Sequence, residues 1–181
     1  DTLCSLTNHS YFNLAGHGAG SVLDQLVKIE ADYYCTNGAI PMADGGIAAV
    51  EGTPMDFRTF SPVGRALRSD FVQLRQVGGF NHTYVLRKRE RGALELAASM
   101  YDPGSGRKME VYTTMPGLHF FSANKTTPRT GKCGATYDRQ FGLCFETQFF
   151  SNSAKCTWFP SPVLRKENSY RQVTEFRFLV S

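Results

Sequence analysis

Short runs in which apolar and polar residues alternate dominate this chain. Between positions 27 and 33, Val27, Ile29, Ala31 and Tyr33 alternate with Lys28, Glu30 and Asp32. This is the period-2 pattern of a strand with one buried face. Residues 83–86 and 94–100 read as a strand pair joined by the charged tip Arg87-Lys88-Arg89-Glu90-Arg91. Residues 108–114 follow the turn Asp102-Pro103-Gly104-Ser105-Gly106 and make a second hairpin. Segments 118–122, 143–149 and 172–179 complete the strands, and a single helical turn is predicted at 63–67, where Pro62 can start it. The 17 glycines fall mainly between these runs, as an all-β fold with many turns requires. The pattern predicts an all-β, antiparallel β-sandwich.

At 181 residues the chain fits one domain and can bury a core. With 41% hydrophobic and 20% charged residues it has the composition of a folded globular protein, not a disordered one. A net charge of +4 from scattered basic residues argues against nucleic acid as a partner. The 87–91 cluster reads as a solvated tip. Five cysteines, with no CxxC or Cys/His spacing, disfavour both a disulfide framework and a zinc site. Reduced thiols then point to the cytoplasm. No apolar run is long enough to span a membrane.

The segment Leu6-Thr7-Asn8-His9-Ser10-Tyr11-Phe12-Asn13-Leu14 mixes hydrogen-bonding and flat apolar side chains. That mixture suits a sugar, whose hydroxyls need polar partners and whose C–H faces stack on rings. The segment resembles the signature of the aldose 1-epimerase (galactose mutarotase) family. Further blocks resemble the family in the same order: residues 29–34, 50–58, Gly79-Phe80-Asn81-His82, 102–107, 110–114, Pro116-Gly117-Leu118-His119-Phe120, Glu146-Thr147-Gln148 and 159–165.

The resemblance implies a galactose-mutarotase-like β-sandwich, a supersandwich. It covers residues 1–181 as one domain, but only about the C-terminal half of the family's fold. The missing N-terminal half is then expected to be required, this chain alone to be weak or inactive, and sheet edges to lie uncovered. It also implies an isomerase that interconverts the α and β anomers of a free monosaccharide with no cofactor and no metal. Such a reaction needs an acid and a base on different oxygens of one carbon.

Glu146 matches the family's base. On a strand over 143–149 it shares a face with Cys144 and Gln148, among apolar neighbours that desolvate it and make it a better proton acceptor. His9 matches the general acid, since an imidazole can hold a proton near neutral pH. Asn81, His119, Asn8 and Tyr11 are the expected substrate-binding residues. His82 should face away from the site, and His17 should be exposed in its glycine-rich turn. Asn81 stands where the family usually carries aspartate, and His119 where it often carries glutamine. Three N-glycosylation sequons begin at Asn8, Asn81 and Asn124. Two of them lie in blocks that line the family's sugar site, so all three are read as unused.

Two functions compete. Retention of His9 and Glu146 favours an epimerase acting on galactose or glucose. Asn81 and His119 favour a non-catalytic sugar-binding relative. A relative acting on phosphorylated hexoses is a weaker third, for which only the 87–91 run supplies basic residues.

Overall fold

A computed structural model describes residues 1–39 and 42–180. In chain order the strands are β1 (Thr2–Leu3), β2 (Leu26–Ile29), β3 (Ala31–Asn37), β4 (Ala43–Ala49) and β5 (Ser61–Pro62). Then come β6 (Asn81–Leu86), β7 (Glu95–Asp102), β8 (Arg107–Thr113), β9 (Gly117–Phe121) and β10 (Arg129–Thr130). The last are β11 (Thr136–Tyr137), β12 (Cys144–Gln148), β13 (Val163–Leu164) and β14 (Thr174–Val180). Two short helices, α1 (Val63–Leu67) and α2 (Val72–Val77), lie between β5 and β6.

Two five-stranded sheets, β12-β9-β6-β3-β4 and β14-β8-β7-β2-β5, share one core, and their pairings are antiparallel. Tyr84, Leu118, Phe120 and Phe145 from the first sheet and Val27, Met100, Met109 and Val111 from the second are buried together. Burying each such side chain is worth about 1.5–3 kcal/mol, which drives the sheets together. The β7–β8 hairpin forms as expected, with Asp102 opposite Arg107 across the Gly-rich turn. Pro62 takes the N-cap position of α1.

Two expected connections differ. The alternating run 27–33 is not one strand, because it breaks at Glu30 between β2 and β3, which lie in different sheets. Glu30 is the corner. Its N–H donates to Ala97 O in β7, while its carbonyl accepts from Arg87 N–H just past β6. The strands β6 and β7 likewise lie in different sheets, so residues 87–91 form a crossover and not a hairpin tip. They are largely solvated, and Arg87 pairs with Glu30 and Asp32. Strand β4 and helix α2 were not anticipated. The second sheet ends in β14, where Phe178 and Val180 are 62% and 83% exposed among the described residues.

Candidate active site

An isolated antiparallel bridge places the His9 loop. Phe12 N–H donates to Leu143 O at 2.8 Å, and Leu143 N–H returns to Phe12 O at 2.9 Å. In an antiparallel register, three residues before Phe12 stand opposite three residues after Leu143. Those residues are His9 and Glu146. The His9 Nε2–Glu146 Oε1 distance is 3.3 Å. The Phe12 ring anchors the bridge by packing against Phe145 and Phe176. His9 is held in orientation by stacking on Tyr11 at 5.1 Å and by an edge contact with Phe121.

The rest of the site comes from alternation on β6, β9 and β12. Thr83, His119 and Glu146 are directly opposite one another across these strands, and Asn81 lies opposite Phe121. The intervening residues His82, Phe120 and Phe145 point into the core. Just before β6, Gly79 takes φ +147°, and a Cβ there would collide with Asn124. Asn124 is needed in that place because its amide donates to Phe80 O at 2.8 Å, fixing where β6 starts. A glycan on this buried side chain is incompatible with the fold.

His119 Nε2–H donates to Asn81 Oδ1 at 2.9 Å, so Nδ1 accepts from Thr83 Oγ1 at 3.0 Å. Thr83 then accepts from Ser151 Oγ at 2.9 Å. The relay Ser151–Thr83–His119–Asn81 runs in one direction and turns the Asn81 NH₂ group away from His119. It requires a neutral imidazole. Burial, aided by the charge of His9, holds the His119 pKa down to about 4, which keeps it neutral.

Burial raises the Glu146 pKa above the ordinary carboxylate range, while the neighbouring His9 opposes that rise. Tyr11 is also pushed up, by burial first and then by Cys144 and Glu146. The Cys144 thiol is driven well up by burial and by Glu146. A His9 ring nitrogen, Cys144 Sγ and a Glu146 oxygen all lie within 4.8 Å of one another, a donor set able to hold a metal ion. A cavity of about 290 Å³ opens beside Asn81, Thr83, His119 and Ser151 and runs toward Ala43.

Of the expected residues, His9, Tyr11, Asn81, His119 and Glu146 therefore share the outer face of one sheet and the loop against it. Asn8 is exposed, and its Oδ1 accepts from Ser10 N–H, shaping the loop that carries His9. Asn13 and Phe12 are not free for a sugar. The Asn13 amide is bound to Gly20 O, Phe141 O and Gln25, and Phe12 is turned toward the core. His82 is buried against Tyr34 with Nε2 3.0 Å from the Asn37 amide, and burial takes its pKa down to about 3. His17 is exposed, with Nδ1 3.0 Å from the Tyr137 hydroxyl. Sequence reasoning missed Thr83, Ser151 and Phe121. Thr83 was reachable, since it is two residues from Asn81 on one strand and so shares its face.

The chain is a two-sheet antiparallel sandwich whose outer face carries an imidazole in contact with a carboxylate. The profile of the aldose 1-epimerase family matches residues 1–177, and the chain belongs to that family. It is 37% identical over 181 residues to the galactose mutarotase of Sus scrofa, an alignment covering 99% of this chain and 51% of that protein. It is 31% identical to the aldose 1-epimerase of Escherichia coli K12, over 97% of this chain and 50% of that one. The crystal structure of an aldose epimerase homologue from C. elegans superposes with a TM-score of 0.85 at 25% identity, covering 98% of this chain and 52% of that chain. The fold is thus galactose-mutarotase-like, and the chain spans about half the length of the relatives it matches.

Proposed function

We propose that this chain carries the proton-transfer face of an aldose 1-epimerase acting on free hexoses such as galactose and glucose. The observation that carries the reading is the 3.3 Å contact between His9 and a largely buried Glu146, placed by the Phe12–Leu143 register. Glu146 takes the proton of the anomeric hydroxyl while protonated His9 delivers one to the ring oxygen. The C1–ring-oxygen bond breaks as the carbonyl forms. After rotation about C1–C2 the steps reverse on the other carbonyl face, returning both protons. Burial makes Glu146 the better proton acceptor, an effect that the neighbouring His9 opposes. Tyr11 offers a ring face for the sugar's C–H groups, and the Asn81 NH₂ donates to a hydroxyl. The reduced cysteines fit a cytoplasmic setting.

A second reading rests on the Asn81–His119 pair. An amide here grips a sugar hydroxyl without the charge-assisted strength of a carboxylate, roughly a factor of two per bond. A sugar-binding protein without turnover would carry such a site. Polarimetry of freshly dissolved α-D-galactose or α-D-glucose with the full-length protein decides. The expected result is mutarotation well above the buffer rate near neutral pH. A folded protein that binds hexose and gives only the buffer rate overturns the enzyme reading in favour of the second.

A further inference from the structure

We propose that His9, Cys144 and Glu146 form a binding site for a thiophilic divalent cation, zinc above all, at the same place as the proton-transfer pair. The donors are one imidazole nitrogen, one thiol sulfur and one carboxylate oxygen, all within 4.8 Å of one another. Zinc binds these three atom types at about 2.0–2.3 Å in a tetrahedron, which separates the donors by about 3.3–3.8 Å. The His9–Glu146 separation of 3.3 Å already meets that requirement. Closing the widest gap needs a movement on the order of 1 Å, measured against the same tetrahedron.

The fold supplies two ligands in place. Cys144 and Glu146 are two residues apart on β12, so both side chains leave the same face of the sheet, and both are buried. His9 is the adjustable third. It sits on the loop ahead of the Phe12 bridge, and its side chain is half exposed. Three protein ligands leave a fourth position on the solvent side of His9, the arrangement of an open zinc site. Magnesium and calcium demand oxygen ligands and gain nothing from the sulfur.

Cysteine spacing along the chain gives no hint of this. His9 comes from one end of the sequence and the other two ligands from near the opposite end. A bound cation would occupy the lone pairs that His9 and Glu146 use for proton transfer, making zinc a reversible inhibitor. That consequence rests on the epimerase reading, but the site itself does not.

The test is titration of the full-length protein with Zn²⁺ by calorimetry and with Co²⁺ by absorption spectroscopy, alongside Cys144→Ser and Glu146→Gln. The expected result is one zinc per chain, bound on the order of tenfold or more weaker in either variant, since loss of even a supporting group at a metal site costs 10–100-fold. A cobalt–thiolate charge-transfer band should appear in the parent and vanish in Cys144→Ser. If that variant does not fold, loss of affinity in the isosteric Glu146→Gln carries the decision. No zinc binding, or unchanged zinc affinity and an undiminished cobalt band in the folded variants, overturns the proposal. Zinc should also slow mutarotation and a chelator restore it, with Mg²⁺ inert. Should the full-length protein lack mutarotase activity altogether, the epimerase reading falls, while the cobalt spectrum still decides the metal site.

Discussion

On the inner face of the sheet β12-β9-β6, Phe120 packs among Phe57, Phe80, Tyr84 and Phe145 with almost no exposure. On the outer face of the same strands, one residue along, stand Asn81, His119 and Glu146. Two histidines mark the division. His82 points inward against Tyr34, and His119 points outward to close a polar relay onto Asn81. His82 is buried and His119 partly buried, and both are held neutral at physiological pH. What separates them is the parity of their position in the pleat. A one-residue slip of β6, β9 or β12 would turn that strand's Asn81, His119 or Glu146 into the core, so the packing of one face enforces the placement of polar groups on the other.

The largest effect expected on that contrast comes from Glu146→Gln. Removing the base should lower kcat for mutarotation about 10²–10⁴-fold while leaving thermal stability nearly unchanged. A loss of fold in place of activity would break the division between the faces. In the parent, activity should fall as pH drops through a value above the ordinary carboxylate range, because burial raises the Glu146 pKa.

Phe120→Ala should do the opposite. It opens a void at the centre of the inner face and should cost about 3–5 kcal/mol in denaturant unfolding.

Acid titration probes both histidines together. Their folded pKa values lie below the ordinary value, at about 3 for His82 and about 4 for His119. The stability they contribute is therefore intact above about pH 6.5 and is lost as pH falls toward those values. Each unit of pKa difference is worth about 1.4 kcal/mol, so the loss should reach several kcal/mol. Calorimetric melting temperatures between pH 7 and pH 4 should show it, with a shallower acid slope in His82→Gln.

The smallest effect sharpens the outer face alone. Asn81→Asp gives the His119 Nε2–H a carboxylate partner and restores a charged acceptor for the sugar. It should lower KM by an amount equivalent to about 1–2 kcal/mol, with a lesser change in kcat. An unchanged or raised KM would remove Asn81 from the substrate grip.

The strands were legible in the sequence; several of their partners were not. Val27, Ile29 and Ala31 keep one parity across the break at Glu30, because both sheets face the same core and the chain turns a corner without changing which side is buried. Alternation cannot register such a corner. The polar run 87–91 looks the same whether it closes a hairpin or crosses between sheets. Strand β4 was hidden by its sequence Ala43-Asp44-Gly45-Gly46, which has little strand propensity. For α2 a signal existed, since Gly78 ends it in the left-handed conformation that glycine favours. At the site, resemblance supplied His9, Glu146, Asn81 and His119. Ser151 and the closeness of Cys144 to His9 needed three dimensions, because each depends on contacts between segments far apart in the sequence.

The Phe12–Leu143 bridge carries a consequence for how this site comes into being. The neighbouring clasp from Asn13 to Phe141 spans 128 positions of sequence, so His9 reaches Glu146 only after one of the longest loops in the chain has closed. The β7–β8 hairpin, by contrast, is local and needs no such closure. Closing that loop costs more chain entropy than closing the hairpin, so the His9–Glu146 contact exists only where distant parts of the chain have met.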